Sequence, residues 1–340
     1  MTAALLRLFL RLISCFYLVV ILLRNLLYDK GWLKTYTPNT NVISVGNITA
    51  GGTGKTPLVI WLCRFFRQKN IRCAILTRGY KTKEGRLSDE PAILAERCPQ
   101  AGVVVNPNRA AGAAEAVERL GADVLIMDDG FQHRRLNRNL DIVAIDATLP
   151  FGYKKMLPAG LLREPVTALK RADAVVITRC DQISGSELNK LEEKLQLINP
   201  DMVITRAIHA AVCAKSTNNR EISLVELRNK KVYSFCGIGN PDAFVNTIKG
   251  LGTNLVGSKV YNDHHNYRDS DTADIYEEAT YLGTDLVLTT EKDWKKIAVL
   301  PLIEINIPFA YLAVELKFLA GEDRLTGLIE DALGGKITTK

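Results

Sequence analysis

Several short runs in this chain have a mostly apolar centre without regular polar alternation, and they alternate with stretches of helical character. NVISVGNI (41–48), RCAILTRG (72–79), DVLIMDD (123–129), DIVAID (141–146) and AVVITR (174–179) are the plainest. A strand without a polar face has neither face in water, and strands alternating with helices form parallel sheets covered on both sides. The expected fold is therefore α/β: a parallel sheet wrapped by helices. The same alternation resumes in KVYSFCGIGN (231–240) and DLVLTTEKD (285–293), after a polar interval at 199–232 that contains KSTNNRE. That interval marks the expected hand-over from a first domain (38–205) to a second, smaller α/β lobe (206–340) closing over a cleft. A last helix is expected near 325–333.

The loop after the first strand limits the chemistry. Thr49-Ala50-Gly51-Gly52-Thr53-Gly54-Lys55-Thr56 matches seven of the eight positions of GxxxxGK[ST], with Thr49 in place of the first glycine. Glycines let backbone N–H groups turn inward around phosphate oxygens, and the helix that follows adds the positive end of its dipole. Lys55 is placed to reach the β/γ-phosphates of ATP and the Thr56 hydroxyl to hold Mg²⁺. The loop follows a strand and opens a helix, as a P-loop must; a glycine-rich turn without a nucleotide is the plainer alternative. A P-loop needs a further acid at the end of another strand, and DVLIMDD supplies Asp128 and Asp129.

The N-terminus departs from this pattern. LISCFYLVVILL (12–23) is uncharged, with Arg7 and Arg11 before it and Arg24 after it. Twelve helical residues span about 18 Å, short of the roughly 30 Å hydrocarbon core, and extension over 3–27 gives the needed length. Residues 1–30 are expected to anchor the chain to a membrane, whether by spanning the bilayer or lying in its interface; a signal peptide and a buried core helix are the competing readings. The seven cysteines are scattered without a CxxC pair, which suggests neither a zinc site nor a disulfide framework. The net charge of +7 suits anionic lipid or phosphorylated partners. Basic residues are not interleaved with aromatics, so nucleic acid is not an expected partner, and no protein partner is indicated.

Taken in order, SVGNITAGGTGKTP (44–57), TRGY (77–80), SDEP (88–91), MDDGFQHRRL (127–136), LPAGLLREP (157–165), CGIGNP (236–241), DHHNY (263–267) and TTEKD (289–293) resemble one family, tetraacyldisaccharide 4′-kinase, the lipid A 4′-kinase of Gram-negative bacteria. The resemblance runs from the N-terminal helix to about Asp293, and Thr49 is no departure from it. It implies a two-lobed P-loop fold on the cytoplasmic face of the bacterial inner membrane. The implied reaction is transfer of phosphate from ATP to the 4′-hydroxyl of a tetraacyl glucosamine disaccharide 1-phosphate, giving lipid IVA. The lipid A disaccharide precursor and membrane lipids are the implied partners.

The resemblance also points to Asp89 as catalytic base, assisted by a histidine of DHHNY, His264 in preference to His265, which the sequence does not separate. On the residues alone, Asp89 equally reads as the acidic first turn of a helix. Arg163 is a candidate for steadying phosphate charge, as is Arg78, and Glu164 is a candidate to complete a metal shell with Thr56, Asp128 and Asp129. Gln132 and His133 line the same cleft or serve a structural role there, and Arg134, Arg135 and Arg138 either face a lipid head group or are simply solvated. Gly237 and Gly239 read as a tight turn. The rival function is a membrane-associated P-loop GTPase or ATPase switch, prompted by TRCD (178–181) and its distant likeness to a guanine-reading TKxD.

Overall fold

The computed structural model describes residues 3–79, 89–216, 220–300 and 306–334. Tyr80 and Ser88 of the quoted motifs lie outside them. The chain divides into two compact units: Met1–Ile208 with Phe318–Lys340, and His209–Lys317.

The first unit opens with helix α1 (Ala3–Asp29) and then alternates: β1 (Asn41–Gly46), α2 (Lys55–Gln68), β2 (Cys73–Thr77), α3 (Asp89–Arg97), β3 (Gly102–Val105), α4 (Arg109–Leu120), β4 (Val124–Asp128), β5 (Leu140–Asp146), β6 (Ala174–Thr178), α5 (Gly185–Ile198) and the start of β7 (Val203–Ser216). The strands run parallel in the order β7-β6-β5-β1-β4-β2-β3. Strands β2, β4, β5 and β6 are buried along their whole length, the environment their unbroken apolar sequences require. Local signals fix the helix ends. Asn108 caps α4 by accepting from the Ala110 and Ala111 amides, and Gly121 ends it with φ 58°. Ser184 and Glu187 form a reciprocal box at the start of α5.

The central strand β1 lies between β4 and β5, with Val45 opposite Asp128. The carboxyl ends of β1 and β4 are therefore neighbours, which is where ligands bind in open α/β sheets. Gly46 is required here. A Cβ on it would stand 2.4 Å from Phe131 Cβ and 2.6 Å from the Phe131 amide nitrogen.

The second unit holds the rest of β7, the short antiparallel β8 (Glu221–Ser223), α6 (Leu224–Leu227), β9 (Lys231–Cys236), α7 (Pro241–Gly250), β10 (Asn254–Val260), α8 (Asp269–Tyr281), β11 (Leu286–Thr290), α9 (Glu291–Ile297) and most of β12 (Phe309–Ala320). Strands β10, β9, β11 and β12 pair in parallel in that order. Two expectations are corrected. The polar interval 199–232 carries the 14-residue strand β7; its inner half sits in the sheet, while its mixed sequence reflects partial exposure. The C-terminal segment belongs to the first unit, not the second: helix α10 (Glu322–Ala332) follows Phe318, which packs edge-on against Trp61. Glu322 accepts from Trp61 Nε1 at 3.0 Å, Glu330 pairs with Lys69 at 2.9 Å, and Arg324 donates to the Ile204 carbonyl at 2.9 Å.

Helix α1 is long and apolar enough to cross a membrane, from Leu5 to Asp29. It also docks on the first unit along one stripe. Ser14, Ile21 and Asn25 are buried and Tyr17, Leu18 and Tyr28 half-buried, at helical spacing, whereas Leu12, Phe16, Val19, Leu23 and Leu26 face outward.

Gly46→Ala should be costly because the clash is with backbone and Cβ, which cannot rotate away. Overpacking of this kind costs about 1–3 kcal/mol, to be read as a lower denaturation midpoint in urea. An unchanged midpoint would show that the Phe131 segment yields freely.

Candidate active site

The phosphate loop is shaped by its glycines. Gly51 has φ 108° and Gly54 φ 90°, the latter serving as N-cap of α2. A glycine cap has no side chain to fill the helix terminus, so the first amides of α2 are left to a ligand. Lys55 is the first residue of α2 and Thr56 the second. Around them the backbone is tied down. Asn47 Nδ2 donates to the Thr49 carbonyl at 2.6 Å, Gln132 Nε2 to the Asn47 carbonyl at 2.8 Å, and Thr178 Oγ1 to the Thr53 carbonyl at 2.9 Å. A strap from Met156 to Arg163 runs alongside: the Ala50 amide donates to Leu161 O at 2.7 Å and the Arg163 amide to Ile48 O at 2.8 Å.

Asp129 gathers the charges. It sits just past β4 with φ 51°, a left-handed conformation that aspartate tolerates better than most residues. Arg163 grips both its oxygens, at 2.8 and 3.0 Å, and also reaches Asn47 Oδ1 at 3.2 Å; Lys55 Nζ lies 3.4 Å from Asp129 Oδ1. Burial opposes ionisation of Asp129, but Lys55 and Arg163 outweigh it and hold the carboxyl well below the usual range.

Asp128 is the opposite case. It is 5 % exposed, and no hydrogen bond from a described residue reaches its carboxylate. Burial raises its carboxyl to about 6 against the pull of Lys55, and the charge of Glu90, at the start of α3, adds to the rise. A buried, desolvated carboxylate at the end of a strand, within the field of Lys55, fits a hard divalent cation. Arg109, which the motif reading missed, donates to the Asp128 carbonyl at 3.1 Å and the Asn106 carbonyl at 3.2 Å. Its signal in the sequence is a single arginine opening a helix otherwise rich in alanine, directly after the Asn108 cap.

Glu164 does not suit the metal role expected of it. Its side chain is fully buried and engaged: Asn25 Nδ2 donates to Oε2 at 2.7 Å, Arg171 Nη2 lies 3.2 and 3.1 Å from Oε1 and Oε2, and Arg24 Nη2 is 3.7 Å away. Among the described residues, no group of three or more His, Cys, Asp or Glu forms a metal cluster. The basic run is likewise occupied. Arg134 donates to Asn25 O and Asp29 and lies over the Tyr28 ring, and Arg138 binds Asp141 and three carbonyls of its own loop. His133 is held neutral, its pKa lowered to about 4 by burial and by the surrounding arginines.

Asp89 begins α3, with Glu90 in the same turn. His264 belongs to the second unit, so the sequence-expected dyad draws on both units. Within that unit the two histidines differ. His265 is bound to Asp271 at 3.1 Å, stacked on Tyr261 at 4.5 Å and edge-on to Tyr267. His264 has φ 62°, a 61 % exposed side chain, and Nε2 3.3 Å from Lys292 Nζ. Asp293, fully buried, secures this loop by accepting from the Gly237 amide at 3.0 Å and from Thr290 Oγ1 at 2.7 Å. A Cβ on Gly237 would be crowded, meeting Asn262 O and Tyr267 OH at 3.1 Å. Arg179 of TRCD is buried against Asp146, where it cannot read a base.

The Asp128 environment carries a stability cost. Its folded pKa, about 6, lies above its ordinary value of 3.8, so the folded protein binds the proton more tightly. Stability therefore falls as pH rises through that window and stays lower above it, by about 3 kcal/mol. Without nucleotide or divalent cation, Asp128→Asn should raise the urea midpoint at pH 8, and the gain should shrink as pH approaches 4. A midpoint lowered at pH 8 would refute this.

The comparisons with known proteins agree along the whole length. The family described as Tetraacyldisaccharide-1-P 4′-kinase, LpxK, matches residues 6–334. The tetraacyldisaccharide 4′-kinase of Syntrophus aciditrophicus is 37 % identical over 91 % of this chain and 89 % of its own. That of Halothermothrix orenii is 36 % identical over 88 % and 86 %. The solved structure of LpxK from Aquifex aeolicus in complex with ATP matches with a TM-score of 0.72 and 30 % identity, over 96 % of this chain and 99 % of that one. The match thus runs through the glycine loop, the paired aspartates and both units, and the chain belongs to the tetraacyldisaccharide-1-P 4′-kinase family.

Proposed function

We propose that this chain transfers the γ-phosphate of ATP to the 4′-hydroxyl of a tetraacylated glucosamine disaccharide 1-phosphate, at the cytoplasmic face of a bacterial inner membrane. The observation that carries the reading is the uncapped start of α2 beside Lys55, with Asp128 and Asp129 at the end of the neighbouring strand. The relatives' activity supplies the acceptor, and the reading supersedes that of a GTPase or ATPase switch.

The residues divide the work. The amides of Gly51, Gly52, Gly54 and Lys55, with the Lys55 ammonium, bind the phosphates, and Arg163 holds Asp129 so that Lys55 is aimed. Thr56 and Asp128 hold Mg²⁺, which supplies neutralisation of phosphate charge when bound. Asp89 accepts the proton of the sugar hydroxyl as its oxygen bonds to the γ-phosphorus and the bond to the β-phosphate oxygen breaks, releasing ADP. Arg163 is suited to stabilise charge because its planar fork is already fixed in place. An acceptor with four acyl chains stays in the bilayer, and the outward face of α1 (Leu12, Phe16, Val19, Leu23) offers the contact that keeps the enzyme with it.

The test supplies detergent-solubilised protein with γ-labelled ATP, Mg²⁺ and the tetraacyl disaccharide 1-phosphate; label should appear in a bisphosphorylated lipid. Asp89→Ala should lower kcat about 10²- to 10⁴-fold with little change in ATP affinity, and near-normal turnover would remove Asp89 from the mechanism. Lys55→Ala should weaken both nucleotide binding and turnover.

A further inference from the structure

The strap that carries Arg163 has two neighbours. On one side it is bonded to the phosphate loop through Ala50 and Ile48, as described above. On the other it is bonded to α1. Ser14 Oγ donates to Met156 O at 3.0 Å and accepts from the Ala159 amide at 3.0 Å. Tyr17 OH donates to Arg163 O at 3.0 Å. Asn25 Nδ2 donates to the fully buried Glu164 carboxylate at 2.7 Å. These three polar residues lie along the docked stripe of a helix whose outward face is almost wholly apolar.

The chemistry of this arrangement is specific. Each of Ser14, Tyr17 and Asn25 satisfies a polar group of the strap, or of Glu164 directly after it, that has little access to water. A buried polar group deprived of its partner carries the full cost of desolvation, so these contacts strongly favour one position of the strap. That position decides where Arg163 starts. From it the guanidinium meets both oxygens of Asp129, and Asp129 in turn meets Lys55. Bidentate pairing is sensitive to small displacements of its base, and a misplacement of about 1 Å can cost as much as 100-fold in rate.

Resting on the phosphotransfer reading above, we infer that Asn25 and Tyr17 of the membrane helix are positioning residues for phosphoryl transfer, acting through Glu164 and the Arg163 backbone to aim the Arg163–Asp129–Lys55 cluster. The helix is then part of the catalytic apparatus as well as an anchor.

The experiment uses the full chain with acceptor lipid dispersed in detergent, where attachment to a bilayer is not required for access. Asn25→Leu keeps the approximate shape and removes the donor to Glu164; Tyr17→Phe removes one hydroxyl and is too mild to prevent folding. The expected result is a kcat about tenfold or more lower in Asn25→Leu and about threefold or more lower in Tyr17→Phe. The ATP concentration for half-saturation, and sedimentation with anionic phospholipid vesicles, should remain within twofold of wild type. A kcat within twofold of wild type in Tyr17→Phe, together with either the same result or failure to fold in Asn25→Leu, would overturn the inference. So would losses of kcat that only parallel losses of vesicle binding. Wild-type protein that labels no lipid would instead sink the phosphotransfer reading itself.

Discussion

One carboxylate organises the phosphate end of the first unit. Asp129 is shared between the Arg163 fork and Lys55, and each of these cations comes from a different element: the strap and the first turn of α2. Parallel pairing of β1 with β4 brings the loop and the acid together, but pairing alone leaves the lysine free to sample many rotamers. The shared anion restricts it. A cluster of two cations around one anion also presents net positive charge where a polyphosphate would sit, with its polar groups already oriented. The left-handed backbone at Asp129 and the contact of Gly46 with Phe131 belong to this constraint, since both set how the chain leaves β4.

Adjacent Asp128 shows the other side of such organisation. Two consecutive acids have opposite environments, one held by hydrogen-bonded cations and one in which burial outweighs the pull of Lys55 and Arg109. A fold selected for stability alone would replace Asp128 with a neutral residue. Retention of a desolvated carboxylate at the end of a central strand is expected where a cation completes the charge balance only in the working complex.

The parts legible in the sequence were those determined by local rules. Unbroken apolar runs identified the buried strands, and the glycine pattern identified the phosphate loop. What was hidden depended on contacts far apart in the chain. Glu164 reads as a metal ligand beside Arg163, and only the approach of Asn25 and Arg171 reveals its engagement. His264 and His265 are chemically identical in sequence, and it is the aromatic rings around His265 that distinguish them. Strand β7 was obscured because a half-exposed strand has no apolar run to announce it. The destination of the last helix was equally invisible, because amphipathicity specifies that a helix packs and not where.

That destination has a consequence for how the protein is made. Residues His209–Lys317 are an insertion in the first unit, which is completed only by the segment from Phe318 onward. During synthesis the ribosome delivers Trp61 and Ile204 long before Phe318 and Arg324 arrive to meet them. The inserted unit is contiguous and has all its strands earlier, so it is able to close while the older, N-terminal part still waits for its final helix. The first unit is thus left unfinished until its last segment has been made.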